Sequence, residues 1–251
     1  MKMKNILNYI ISTAFCVFLF TVNLSAQNDE MKVTSSDTLT VVSKDSTVIK
    51  EKYGLRLGLE LSQLVRTAFE DDYQGFEVMG DYRITKFLYL AGEFGAENIT
   101  LSNDFYNATT KGSYFKAGID YNAYRNWLDM ENMIYGGLRI GASTFSQTLN
   151  SYSVYSENQY WTPQFSSSDL REYNGLSALW AELVLGIKAE VLNNLYLGVH
   201  VEFKGMLAQK EPDNFENLYV PGFYKTYDSL GIGFGFGYSV SYLIPLYKKE
   251  K

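Results

Sequence analysis

From Leu230 to Tyr242 the chain reads LGIGFGFGYSVSY, a large apolar residue at every second position with Gly or Ser between. Side chains of a strand point alternately to its two sides. Leu230, Ile232, Phe234, Phe236, Tyr238, Val240 and Tyr242 therefore share one face, and Gly231, Gly233, Gly235, Gly237, Ser239 and Ser241 the other. The apolar face of so long a strand must meet either a protein core or a bilayer.

The same period of two recurs along the chain. Apolar sets begin at Tyr53 (to Leu61), Phe76 (to Ile84), Leu88 (to Phe94), Phe115 (to Tyr121), Ile134 (to Ala142), Leu179 (to Ala189) and Leu195 (to Phe203). With the opening stretch this makes eight strands. The connections alternate: Thr85-Lys86, Arg125 to Glu131 and Val191 to Asn194 are short, whereas Arg66 to Tyr73, Glu97 to Lys111, Thr148 to Asn174 and Ala208 to Asp228 are long. Short turns at one end and long loops at the other are the habit of outer-membrane barrels. The pattern predicts an all-β fold, an eight-stranded antiparallel up-and-down transmembrane β-barrel over residues 53–251. Aromatics make up 16% of the chain. Tyr82, Phe87, Tyr124, Trp127 and Tyr242 fall near short turns, and Phe69, Tyr73, Phe145, Phe203 and Phe223 near long loops, as interfacial girdles would.

The N-terminus supports export. Lys2 and Lys4 precede an apolar run from Ile10 to Val22 and a small-residue exit at Ser25-Ala26, which predicts a signal peptide over residues 1–26. The segment holds Cys16, the only cysteine, so the mature chain has neither disulfide nor thiolate chemistry. It also carries two Lys and no acid, so its removal makes a chain of formal charge -6 still more acidic. No basic stripe remains for a nucleic acid. Residues 27–52 are polar and read as a flexible periplasmic tail.

Several segments resemble an uncharacterised Bacteroidota family of eight-stranded outer-membrane β-barrel proteins, a domain of unknown function. They are Ala117-Gly118-Ile119-Asp120-Tyr121-Asn122-Ala123, Tyr135-Gly136-Gly137-Leu138-Arg139, Trp180-Ala181-Glu182-Leu183-Val184-Leu185-Gly186, Tyr219-Val220-Pro221-Gly222-Phe223 and Ser241-Tyr242-Leu243-Ile244-Pro245. The resemblance implies the barrel and its membrane, the outer membrane of a Gram-negative bacterium, and brings no catalytic residues.

Fixed charge falls on the face opposite the apolar one. The barrel interior should hold Arg56, Glu60, Glu77, Asp81, Arg83, Glu93, Lys116, Asp120, Arg139, Glu182, Lys188, His200, Glu202 and Lys204, with Glu190 at its end. An eight-stranded barrel has room for little more than its side chains, so these charges should form a structural plug rather than a transport path. The Gly-Ser face of the last strand should leave space for Arg56, Glu60, His200 and Lys204. His200 and Glu202 share a face with Glu182, the one cluster suited to acid-base work, but no Ser accompanies the single His. One His and no mature Cys give no metal-ligand spacing, so no catalytic, cofactor or metal site is expected. The reading is a monomeric, non-enzymatic outer-membrane protein with a structural or surface-interaction role, contacting membrane lipid and meeting an unidentified protein or glycan at outer loops 148–174 and 208–228. The alternatives are an accessory barrel of secretion or envelope assembly, and a lipid-modifying enzyme.

Overall fold

Eight long antiparallel strands close on themselves. The computed structural model describes residues 50–124, 131–154, 165–168, 170–213, 215–225 and 231–250. The signal segment, the tail up to residue 49, Trp127 and residues 155–164 of the expected binding loop lie outside these. The elements are β1 (Lys50–Glu60), α1 (Leu61–Phe69), β2 (Tyr73–Arg83), β3 (Leu88–Ser102), β4 (Tyr106–Asn122), β5 (Met133–Val154), β6 (Phe165–Ser167), β7 (Arg171–Leu192), β8 (Leu195–Lys210), β9 (Tyr219–Val220), β10 (Tyr224–Lys225) and β11 (Ile232–Glu250). Each of β1, β2, β3, β4, β5, β7, β8 and β11 pairs with its neighbour in that order, and β11 returns to β1 to complete the ring. The short β6 extends the edge of β5, and β9 with β10 form a separate hairpin.

The side-chain polarity of this ring is inverted relative to a water-soluble core. Leu138 is 62% exposed and Phe236 68%, whereas Asp120 is fully buried and Lys116 is 1% exposed. On β11 the glycines and serines at 233, 235, 237, 239 and 241 point inward and the large apolar residues outward. Every interior residue named from the sequence is buried except Glu190 at the end, which is half-buried. The inversion has an end. On β5, outward Ile134, Leu138, Ile140 and Ala142 give way to Thr144, Ser146 and Thr148, while inward Arg139 gives way to Phe145 and Leu149. On β7, likewise, Ser177 faces outward while Leu176, Ala178 and Trp180 face inward. Above that level β5 and β7 turn Thr and Ser outward, and apolar residues stand inward beside buried Ser143 and Gln147.

This reversal explains the main differences from expectation. The loop expected at Glu97 to Lys111 is mostly strand, and β5 and β7 extend through much of the expected Thr148 to Asn174 loop. β1 starts at Lys50, so the last three residues of the expected tail pair with β11. Tyr73, Phe145 and Phe223, expected in an interfacial girdle, are buried inside the ring. Tyr73 and Phe145 lie on inward-facing positions of their strands, and Phe223 sits in the turn of the inward-folded hairpin.

The expected loop between β1 and β2 is partly the helix α1. Leu61, Leu64, Val65 and Ala68 recur at helical spacing, and the Glu60 carboxylate caps the first turn by accepting from the Ser62 N–H (3.3 Å) and hydroxyl (2.8 Å). At the other end the Glu70 N–H bonds the Arg66 carbonyl. Leu59 and Leu61 still satisfy the strand period, which conceals the helix start in the sequence.

The β11 glycines make room for Glu60, His200 and Lys204, as expected, and for Glu202 and Tyr224 besides. A Cβ at Gly237 would lie 2.6 Å from Glu60 Oε1 and 2.7 Å from the His200 ring, and one at Gly235 would lie 2.7 Å from Glu202 Oε2 and 3.0 Å from Tyr224. Arg56 is not among them; it pairs instead with Asp81. Gly235→Leu should therefore destabilise the ring by about 1–3 kcal/mol through overpacking, whereas Gly205→Leu, with nothing within 4 Å of its Cβ position, should be tolerated. Urea unfolding midpoints of the two variants in detergent check this.

Candidate functional site

The interior is a column of ion pairs built from alternate residues of seven of the eight long strands, with β11 giving Gly and Ser to the same face. At the short-turn end, the Arg83 guanidinium reaches Glu51 Oε2 (2.9 Å) and the carbonyls of Lys52 and Lys86, and it lies 4.7 Å from the centre of the Tyr53 ring. Lys52 Nζ donates to Glu190 (3.3 Å), Asn193 (3.0 Å) and Asn194 (2.9 Å). Asn194 takes φ 65 in the turn between β7 and β8, a conformation Asn tolerates.

The next layer contains two arginines. Arg56 holds Asp81 through Nε (3.0 Å) and Nη2 (2.8 Å), Lys188 adds a bond of 2.7 Å to the same carboxylate, and the Tyr196 ring lies under the guanidinium at 4.7 Å. Arg139 pairs with Asp120 (3.1 Å) and Glu93 (3.0 Å). Planar guanidinium groups suit this role because each can satisfy two acceptors at once.

Above them, carboxylates from four strands converge on one ammonium. Lys116 of β4 lies 2.6 Å from Glu93 of β3, 3.2 Å from Glu202 of β8, 3.4 Å from Glu77 of β2 and 3.9 Å from Glu182 of β7. Lys204 pairs with Glu202 (2.8 Å) and lies 3.7 Å from Glu182. His200 Nε2 is 3.5 Å from Glu202 and 4.0 Å from Glu60. Neutral donors supplement the cations: Trp180 Nε1 to Glu182 (2.6 Å), the Tyr114 hydroxyl to Glu77, and Gln63 Nε2 to the Tyr114 oxygen (2.6 Å). Glu93, Glu182 and Glu202 offer oxygens within 4.8 Å of one another, a spacing that could hold a metal ion, but the Lys116 ammonium already sits among them.

The long-loop end is closed from inside by the β9–β10 hairpin. Glu97 accepts from the Tyr73 hydroxyl (2.7 Å), the Tyr219 hydroxyl (3.0 Å) and the Gly222 N–H (3.0 Å). Burial, reinforced by the Glu97 charge, pushes the Tyr219 hydroxyl well above its ordinary range, so it stays a donor. Lys204 Nζ donates to the Gly222 carbonyl (2.6 Å) and lies 3.9 Å from the Tyr224 ring centre. Gln147 clamps the approach to the hairpin, donating to the Glu216 carbonyl (3.1 Å) and accepting from the Leu218 N–H (2.9 Å). Val220 and Phe223 pack against Tyr114, Phe145, Leu176, Ala178 and Trp180.

The packing leaves little free space within the column. A cavity bordered by Asp81, Glu93, Tyr135, Arg139, Lys188 and His200 has a volume of about 10 Å³, room for roughly one water molecule. The model of a domain of unknown function (DUF6048) matches residues 6–249. The chain belongs to that family. No curated protein matches it.

The structure brings the sequence-selected charges together in these layers, with Arg83 at the short-turn rim. Sequence reasoning overlooked Glu97, Gln63, Tyr114 and Gln147. For Glu97, Tyr114 and Gln147 the signal was present, because each continues the inward parity of its strand: Glu93 to Glu97, Lys116 back to Tyr114, Arg139 on to Gln147. Gln63 had no such signal, since it lies on α1.

Lys116→Met should leave the carboxylates around it without their shared cation and cost about 3–5 kcal/mol; chemical unfolding in detergent measures it. Glu97→Ala removes the acceptor of two hairpin bonds, from Tyr219 and Gly222, and limited proteolysis should then cut within residues 211–231 faster than in the parent protein.

Proposed function

We propose that this protein is an eight-stranded transmembrane β-barrel of a Gram-negative outer membrane, exported by its N-terminal signal, with a structural or surface-interaction role and a closed lumen. The observation that carries this reading is the inverted ring, with a continuous apolar exterior around a buried, ion-paired interior. Water would expel that exterior, and acyl chains would accept it. The reversal at Ala142/Thr144 on β5 and Leu179/Ser177 on β7 supports placing the edge of the hydrocarbon layer there, with the strand ends above it standing in water.

A filled interior argues against a pore, because the ion pairs and the hairpin occupy the path that a solute would take. The arrangement around His200 lends no support to lipid-modifying catalysis. The Ser62 hydroxyl donates to Glu60, and His200 faces carboxylates, so among the described residues no hydroxyl is seen set against an imidazole base. Function therefore falls to the outer ends, where β5, β6 and β7 project and an unidentified protein or glycan would bind as the protein works as a monomer.

Two measurements check this. Asp104→Cys, between β3 and β4, should react with an impermeant maleimide on intact cells, whereas Lys86→Cys, in the β2–β3 turn, should react only after the outer membrane is opened. Equal reactivity on intact cells would remove the proposed orientation. In planar bilayers the purified protein should give no large stable conductance.

A further inference from the structure

The ring is not made of strands all the way round. β1 ends at Glu60, opposite Ser239, but β11 continues to Ile232 along β8, and β2 continues to Tyr73 along β3. Between those two prolonged edges lies α1. Side chains anchor it there: the Thr67 hydroxyl accepts from the Gly75 N–H (2.8 Å), and Glu60 Oε1 accepts from the Tyr238 N–H (2.7 Å). Both amides belong to edges that a longer β1 would have covered.

The orientation of α1 repeats the inversion of the strands. Gln63 is 1% exposed and points into the ring toward Glu77 and Tyr114, and the Arg66 guanidinium lies 3.8 Å from the centre of the Tyr73 ring. Leu64, Val65 and Phe69 are exposed, Phe69 by 73%. A helix on a water-soluble protein would turn the other way, since burying Gln and exposing Phe gains nothing in water. The two strands that α1 contacts expose apolar residues as well, Phe76 and Val78 of β2 and Phe234 and Phe236 of β11.

We propose that α1 is a piece of the barrel wall lying in the acyl-chain layer, with Leu64, Val65 and Phe69 in direct contact with lipid tails. This rests on the bilayer reading above. Elsewhere around the ring a hydrogen-bonded ladder separates lipid from the lumen. At this seam the nine-residue helix and a few side-chain bonds separate lipid tails from Glu77 and Tyr114, the interior partners of Gln63.

The test uses the full mature chain, which lacks Cys16 if the signal is removed. Single cysteines replacing Leu64, Val65 or Phe69 are labelled with a fluorophore, and the protein is reconstituted into phosphatidylcholine vesicles with brominated acyl chains. Labels at Leu138 and Phe234 serve as wall references and a label at Asp104 as a water reference. The expected result is loss of most fluorescence at Leu64, Val65 and Phe69, matching Phe234. Quenching at Leu138 and Phe234, with the three helix labels instead quenched by aqueous iodide as at Asp104, would overturn the inference and leave the barrel in its membrane. Absence of lipid quenching at Leu138 and Phe234 as well would mean that the bilayer reading itself had failed, and this inference with it. Leu64→Ser, which keeps the fold but removes apolar surface, provides a second readout: amide exchange at Gly75 and Tyr238 in the same vesicles should rise, and unchanged exchange would count against a lipid-pressed helix.

Discussion

Lys116 is the pivot of this protein. Its one ammonium serves carboxylates from β2, β3, β7 and β8 while the residue itself sits on β4, so five of the eight strands meet at a single charge. Taking that many charges out of water is costly, and the cost is offset only when each group finds partners of good geometry. The remaining interior follows from this requirement. Arg139 shares Glu93, Lys204 shares Glu202 and Glu182, and Trp180 and Tyr114 add neutral donors to Glu182 and Glu77. The network is therefore a mutual condition rather than a set of separate bridges.

Space is the second constraint, and it acts through glycine. Eight strands enclose barely enough room for side chains, and here the interior also admits a hairpin and one face of a helix. β11 yields the room by carrying Gly at 233, 235 and 237 beside Phe223, Tyr224, Glu202, Glu60 and His200. The hairpin needs a tight turn as well: Gly222 has φ 79, and Tyr224 takes φ 81, a strained value for a residue with a side chain, held by Lys204 and Tyr219.

Much of this was legible in the sequence, for a definite reason. Wherever the outside is apolar and the inside charged, a period of two announces both the strand and its orientation, and Arg56, Asp81, Lys116, Arg139, Glu182 and Glu202 all point inward as that period requires. The pattern fades where its sign flips. Past Ala142, β5 sets Thr144 and Ser146 against Phe145 and Gln147, a weaker contrast that reads as loop, and so β3, β4, β5 and β7 were all underestimated in length. α1 was hidden because Leu59 and Leu61 serve both periods, and the inward hairpin because Tyr219 to Phe223 makes its contacts with residues far away in sequence.

Closure joins the first strand to the last, with Lys50 opposite Glu250. That seam needs both β1 and β11, so a chain lacking β11 is not a smaller version of the protein. It is an open sheet with two bare edges and a row of uncompensated charges, the kind of surface that recruits chaperones or pairs with a neighbouring copy. The glycine-rich strand is thus both the spacer of the interior and the piece that seals it, since β11 alone bridges β8 and β1.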